Sequence, residues 1–303
     1  VEPRTPAVLG VGVVEEAVGD SGGRVLVLGL RAHPSILPGL TRTVCGVLEG
    51  YAPGYAEDAM SMVSARTAAE RADFTLRLLR PGMRVLDVGC GPGSITLGLA
   101  RAVGGGRVLG VDREPQQAVL AQEAAAAAGL SGVDFTAASV YALPVAAESV
   151  DVVFAHALFE HLARPVDALA ELYRVLRPDG AIALSTSDWS RARIRPRTAN
   201  VDAALRGHYL LRRRSGGDPF AGKRMAEYAE AAGFIDVRAH ARYRPDLTFR
   251  ALAAYIQARL SAALAEPGGD RDQLASAARS AWAWAQTGGG EFAQCWVELT
   301  ARK

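Results

Sequence analysis

His156 and His161 stand five residues apart in "HALFEH" with Glu160 between them, and Asp188 follows in "STSDW". Imidazoles titrate near neutrality and carboxylates exchange protons readily, so this set suits acid–base work on a hydroxyl or an amine. Metal binding is the other use of such a set. The spacing has one residue too many for the H-x-x-E-H pattern and no third ligand is evident, so no metal is expected. A second group lies upstream. "RVLDVGCGPG", Arg84 to Gly93, places Asp87 just before three alternating glycines, Gly89, Gly91 and Gly93, and Asp112 closes "GRVLGVD". Glycines so arranged let the backbone approach a ligand closely and adopt positive φ.

The element pattern says where these residues must sit. "MRVLDVG" reads as a strand, "SITLGLARAV" has apolar residues at helical spacing, and "GRVLGVD" reads as a second strand. A βαβ unit implies a parallel sheet buried on both faces, with the glycine loop at its carboxyl edge, where such sheets bind ligands. Two cofactor classes use that loop. A dinucleotide fingerprint needs G-x-G-x-x-G, but here the third position is Ser94, with Gly93 one residue early. A carboxylate at Asp87 would also repel a pyrophosphate. S-adenosylmethionine carries a sulfonium and an ammonium group and no phosphate, so an acid in the loop suits its charge. Asp112 can accept both hydroxyls of a ribose.

With these residues in register, "VLDVGCGPG" resembles the first motif of the class I S-adenosylmethionine-dependent methyltransferases, and the core is similar to their ubiquinone and menaquinone C-methyltransferase-like members. The resemblance covers about Arg66 to Asp188. It implies an α/β fold, a doubly wound, seven-stranded, mostly parallel sheet of the Rossmann-like methyltransferase type. It places S-adenosylmethionine against Asp87, Gly89, Cys90, Gly91, Gly93, Asp112 and Arg113, with S-adenosylhomocysteine as product. Ser139 and Val140 would lie along the adenine. The family usually has an acid at the position of Ser139, whose hydroxyl accepts without charge assistance. Tyr51 and Arg66, ahead of the first strand, would meet the donor carboxylate. His156, ending the fourth strand, would face the donor. It is one candidate general base and His161 the other, while Asp188 and Trp189 would border the acceptor. Asp179 takes the place of a glycine in the family's "RVLxPGG" element, with no function attached to the change.

Further strands are expected at Val133 to Ala137, Val150 to Ala155 and Ala181 to Thr186. A helix ended by Gly233 precedes a sixth strand, and "EFAQCWVELTARK" would run antiparallel as the seventh. The chain thus divides into an N-terminal extension (1–55), a donor-binding core (56–188), an arginine-rich insertion beside the substrate cleft (189–220), and the remainder of the core (221–303). That remainder carries a helical cap insertion at about 246–287, read as two helices split by "EPGGD". In the extension, "RVLVLGLRAHP" echoes "RVLDVGCGPG" without its acid or its second and third glycines. It reads as a strand-forming element, a candidate for homodimer contact.

Half of the 303 residues are hydrophobic and the net charge is +2, so overall charge names no partner. Locally, Arg191 to Arg214 holds eight arginines against one acid, Asp202. Such a patch suits RNA phosphates, an acidic small molecule or a solvated insertion. The low net charge and the absence of a recognisable RNA-binding module favour a small-molecule acceptor over nucleic acid. Three scattered cysteines, Cys45, Cys90 and Cys295, point to a reducing compartment, the cytoplasm. No apolar run approaches the roughly 20 residues that span a bilayer. The expectation is therefore methyl transfer to a specialised metabolite or quinone-like compound. Methylation of RNA through the arginine patch is the alternative, as is non-methyl chemistry such as cyclisation.

Overall fold

Short β-branched runs build the centre of the molecule, which a computed structural model describes for residues 63–265 and 270–303. The expectations for residues 1–55, including Tyr51 and the dimer element, lie outside the described residues. The runs become β1 (Arg84–Val88), β2 (Arg107–Asp112), β3 (Val133–Ala137), β4 (Val150–His156) and β5 (Leu176–Ser187), all mutually parallel. β6 (Arg193–Arg195), β7 (Ile235–Arg244) and β8 (Glu291–Arg302) complete the sheet, with β8 antiparallel to β5, β6 and β7. The order is β3-β2-β1-β4-β5-β8-β6, with β7 also paired to β8. Eight strands thus stand where seven were expected, the additional one being the three-residue β6. Where β5 follows β4 its register shifts across Pro178-Asp179-Gly180, and Asp179 takes φ +63, a conformation that suits the family's glycine and that aspartate tolerates.

Alternation along each strand feeds two separate cores. Val85, Val152 and Phe154 pack with Ile95 and Leu99 of α3 (Ser94–Ala102), while Leu86, Val153 and Ala155 pack with Leu169 and Leu172 of a helix on the other face. The short α1 (Ala68–Arg71) and α2 (Asp73–Leu76), with α4 (Pro115–Ala127), belong to the first layer. The second consists of α5 (Pro165–Val175) and α7 (Met225–Ala231). Leu86, Leu99, Leu169 and Leu172 are fully buried, and each contributes roughly 1.5–3 kcal/mol.

The two insertions fold as one unit. The arginine-rich segment contains a sixteen-residue helix, α6 (Ala199–Arg214), begun by Thr198, whose hydroxyl accepts from the Val201 N–H. It packs against α8 (Phe249–Ala263) and α9 (Arg271–Ala285), the two helices expected on either side of "EPGGD". Their shared core joins Val201, Ala204 and Leu205 to Ile256, Leu260 and Ala281. Contact is closest at Gly207, where an added Cβ would lie 2.4 Å from the Ala277 Cβ. A separate hydrophobic core thus supports a three-helix cap. No helix among the described residues is long and apolar enough to cross a membrane.

Candidate active site

The loop after β1 wraps around the end of β2. Gly89 and Gly91 take φ +74 and +53, and the Asp112 carboxylate fastens the turn, accepting from the Gly91 N–H at 2.9 Å and the Glu114 N–H at 3.0 Å. Burial raises the Asp112 pKa, and those two N–H groups oppose the rise. Over this loop opens a first chamber of about 910 Å³. Of the residues assigned to the cofactor, Arg66, Gly89, Gly91, Asp112 and Arg113 line it, together with Ser139, Val140 and His156.

Three assigned residues do not. Asp87 is buried behind the loop and accepts from the Thr96 hydroxyl at 2.6 Å, so it braces α3 against β1. Cys90 turns its sulfur inward toward Gly110, and burial pushes its thiol pKa up. Gly93 starts α3 at φ +79, where an added Cβ would stand 2.8 Å from the Ala121 Cβ. Its role is to let α3 and α4 close together.

Asp87 yields a test of stability. Burial raises its pKa from 3.8 to about 7, with Thr96 opposing the rise and Asp112 adding to it. The folded state therefore holds a proton that the unfolded chain has already released. Stability from this group is full below about pH 4 and is lost as pH rises through about 7. Asp87→Asn cannot ionise and can still accept from Thr96. In urea unfolding its advantage over the wild type should grow by on the order of 2–3 kcal/mol between about pH 5 and about pH 8.5. An equal difference at both pH values would remove burial of charge as the cause.

A second chamber, of about 1150 Å³, lies between the carboxyl edge of the sheet and the cap. Its flat apolar walls are Trp189, Tyr255, Phe292 and Trp296. Phe292, Gln294 and Trp296 are alternate residues of β8, so one face of that strand forms a wall. Arg71 and Asp246 also face it, joined by two hydrogen bonds of 3.0 and 2.7 Å, and the Trp296 indole N–H donates to Asp246 at 3.3 Å. The two chambers share Val63, Arg66, Ala157 and His161 as lining.

The structure separates the three residues expected to be catalytic. His161, at the end of the 3-10 turn Phe159–His161, lines both chambers. His156 lines only the first and stacks on Trp296, with centroids 4.7 Å apart. Burial holds both imidazoles well below their ordinary pKa. The charges of Arg66, Arg71 and Arg244 add to this at His156, and those of Arg212, Arg113 and Arg66 at His161. Asp188, the third, lines neither chamber. It is fully buried and caps the turn Trp189–Arg191, accepting from the Ser190 N–H at 2.9 Å and its hydroxyl at 2.6 Å while pairing with Arg191.

Two charged residues of the second chamber, Glu160 and Arg212, 2% and 8% exposed, were not among the site residues assigned from the sequence. Arg212 had a signal. Val201, Ala204, Leu205, His208 and Arg212 form one stripe at helical spacing, so the apolar face of α6 runs on into two polar residues that must also be buried. Glu160 is fixed by the backbone. The Asp218 N–H donates to its carbonyl at 3.1 Å, and a Cβ at Gly217 would lie 2.4 Å from that oxygen. The other arginines of the patch disperse. Arg197 pairs with Asp202, Arg214 with Asp270, and Arg193 lies over Tyr243. No cluster of three metal-ligating side chains occurs among the described residues.

Comparison with known proteins agrees with this geometry. The family model described as a methyltransferase domain matches residues 86–184. An uncharacterized methyltransferase of Schizosaccharomyces pombe is 30% identical over 181 residues, covering 58% of this chain and 65% of its own. A ubiquinone biosynthesis O-methyltransferase of Cereibacter sphaeroides is 33% identical over 128 residues, covering 42% and 51%. The chain thus spans about half to two thirds of the length of these curated relatives. Among solved structures, the YcgJ protein from Bacillus subtilis superposes with a TM-score of 0.56 at 19% identity, over 76% of this chain and 97% of that one, a likeness of fold. Residues 86–184 thus match a methyltransferase domain, similar to that of S-adenosylmethionine-dependent methyltransferases.

Proposed function

We propose that the protein methylates a hydroxyl of a small, aromatic, quinone-like acceptor seated in the second chamber, with S-adenosylmethionine in the first. The observation that carries this reading is that two chambers of different character meet at Arg66, Ala157 and His161. The first chamber fits the donor. Gly89 and Gly91 leave the loop without side chains there, and Asp112, held by two backbone N–H groups, keeps lone pairs for ribose hydroxyls. Ser139 and Val140 would hold the adenine and Arg66 the donor carboxylate. When bound, the donor supplies an electrophilic methyl group on a sulfonium.

The chain supplies alignment and a proton acceptor. Trp189, Tyr255, Phe292 and Trp296 hold a flat ring and exclude water. His161, kept neutral by burial and by arginine charge, is ready to take the hydroxyl proton where the chambers meet. The ubiquinone O-methyltransferase among the relatives supports an oxygen acceptor. A specialised metabolite in the cytoplasm is the setting this reading favours.

The test is incubation of the protein and methyl-labelled S-adenosylmethionine with a cell extract separated into small-molecule, RNA and protein fractions. Label should enter the small-molecule fraction in the wild type and not in Asp112→Ala. Label in RNA would replace the small-molecule reading. Donor binding without label in any fraction would remove methyl transfer.

A further inference from the structure

We propose that the acceptor carries a carboxylate on its aromatic ring, bound by the guanidinium of Arg212 and the indole N–H of Trp189. This rests on the reading above that the second chamber receives the acceptor. Arg212 is 8% exposed and lines that chamber. Its Nε donates to His208 Nε2 at 3.1 Å and its guanidinium lies over the Trp189 ring at 5.7 Å, so its direction is fixed from two sides. Its Nη1 has no hydrogen-bond partner among the described residues, and neither has the Trp189 Nε1. Two residues that line one chamber thus each keep a buried donor unsatisfied, an arrangement that native interiors avoid unless something binds there.

Charge points the same way. Arg71 is neutralised by Asp246, with two hydrogen bonds. Arg212 has no carboxylate within ion-pair distance among the described residues, and its charge is felt at His161 and His208, both held neutral by burial first and by Arg212 next. Glu160, whose Oε2 has no partner among the described residues, is the nearby acid. Burial raises its pKa, against the pull of Arg212 and of hydrogen bonds from Ser187 and the backbone. A buried cation without a counter-ion is unfavourable in the empty chamber and is relieved by an anionic ligand. Arginine presents paired donors in a plane that matches a carboxylate, and the four aromatic walls match the ring that carries it.

Calorimetry with protein saturated with S-adenosylhomocysteine, titrated with 1-hydroxy-2-naphthoate and with its methyl ester, tests this. The acid should bind the wild type about tenfold more tightly than the ester, or better. Arg212→Gln should erase the difference with S-adenosylhomocysteine affinity unchanged. Should that variant not fold, Trp189→Phe, which keeps the ring and removes the N–H, should narrow the difference a few-fold. Equal affinity of the wild type for acid and ester, or no binding of the acid at millimolar concentration, overturns the proposal. Failure of the wild type to bind S-adenosylhomocysteine would instead refute the reading on which it rests.

Discussion

Asp112→Ala is expected to weaken S-adenosylhomocysteine binding about a thousandfold, measured by calorimetry. Three losses coincide. The ribose loses a charged acceptor, and the Gly91 and Glu114 N–H groups lose the oxygens that fix the glycine loop. Hydrogen bonds to a charged partner are worth about 1.5–3 kcal/mol each, so losing those to the ribose together with the ordering of the loop reaches this magnitude. Overall stability should fall far less, because Asp112 ends its strand outside the hydrophobic clusters. A change in affinity under about fivefold would show that the first chamber is not the donor site.

His161→Gln should lower kcat about 10²- to 10³-fold while donor affinity stays within a few-fold, the range usual for loss of a general base. His156→Gln should cost less than about tenfold, because that ring lines only the first chamber and packs on Trp296. Since the folded pKa of His161 lies well below 6.5, the imidazole is already the proton-accepting form at neutrality. The wild-type kcat/KM should accordingly stay flat as pH falls through 6.5, declining only at lower pH, and His161→Gln should abolish that acidic limb. A larger drop for His156→Gln than for His161→Gln would exchange their roles.

The glycine loop, Asp112, the positions of β1 to β5 along the chain and the two helices on either side of "EPGGD" were legible in the sequence because each depends on neighbours within a few tens of residues. The Asp87 side chain was not. Its type suited a cationic ligand, but its direction is decided by Thr96 nine residues on. Asp188 shows the same limit, since a strand-end carboxylate before a serine serves equally as a cap. That the segment 189–220 and the helices after 249 share one core is a tertiary fact, carried by contacts such as Gly207 on Ala277. The second chamber was least legible, being assembled from 3-10 turn, cap and C-terminal strand residues more than a hundred positions apart, as with Glu160 and Phe292.

The close approach of Gly217 to the Glu160 carbonyl bears on how such an enzyme could be re-engineered. Cap helices from a homologue could be exchanged wholesale to change acceptor preference, with the donor loop untouched. The graft that replaces α6, however, has to rejoin the parent before Gly217, since a bulkier residue there would displace the very turn that presents His161 to both chambers. Gly217-Asp218 is the splice point that a library of chimeras should hold constant.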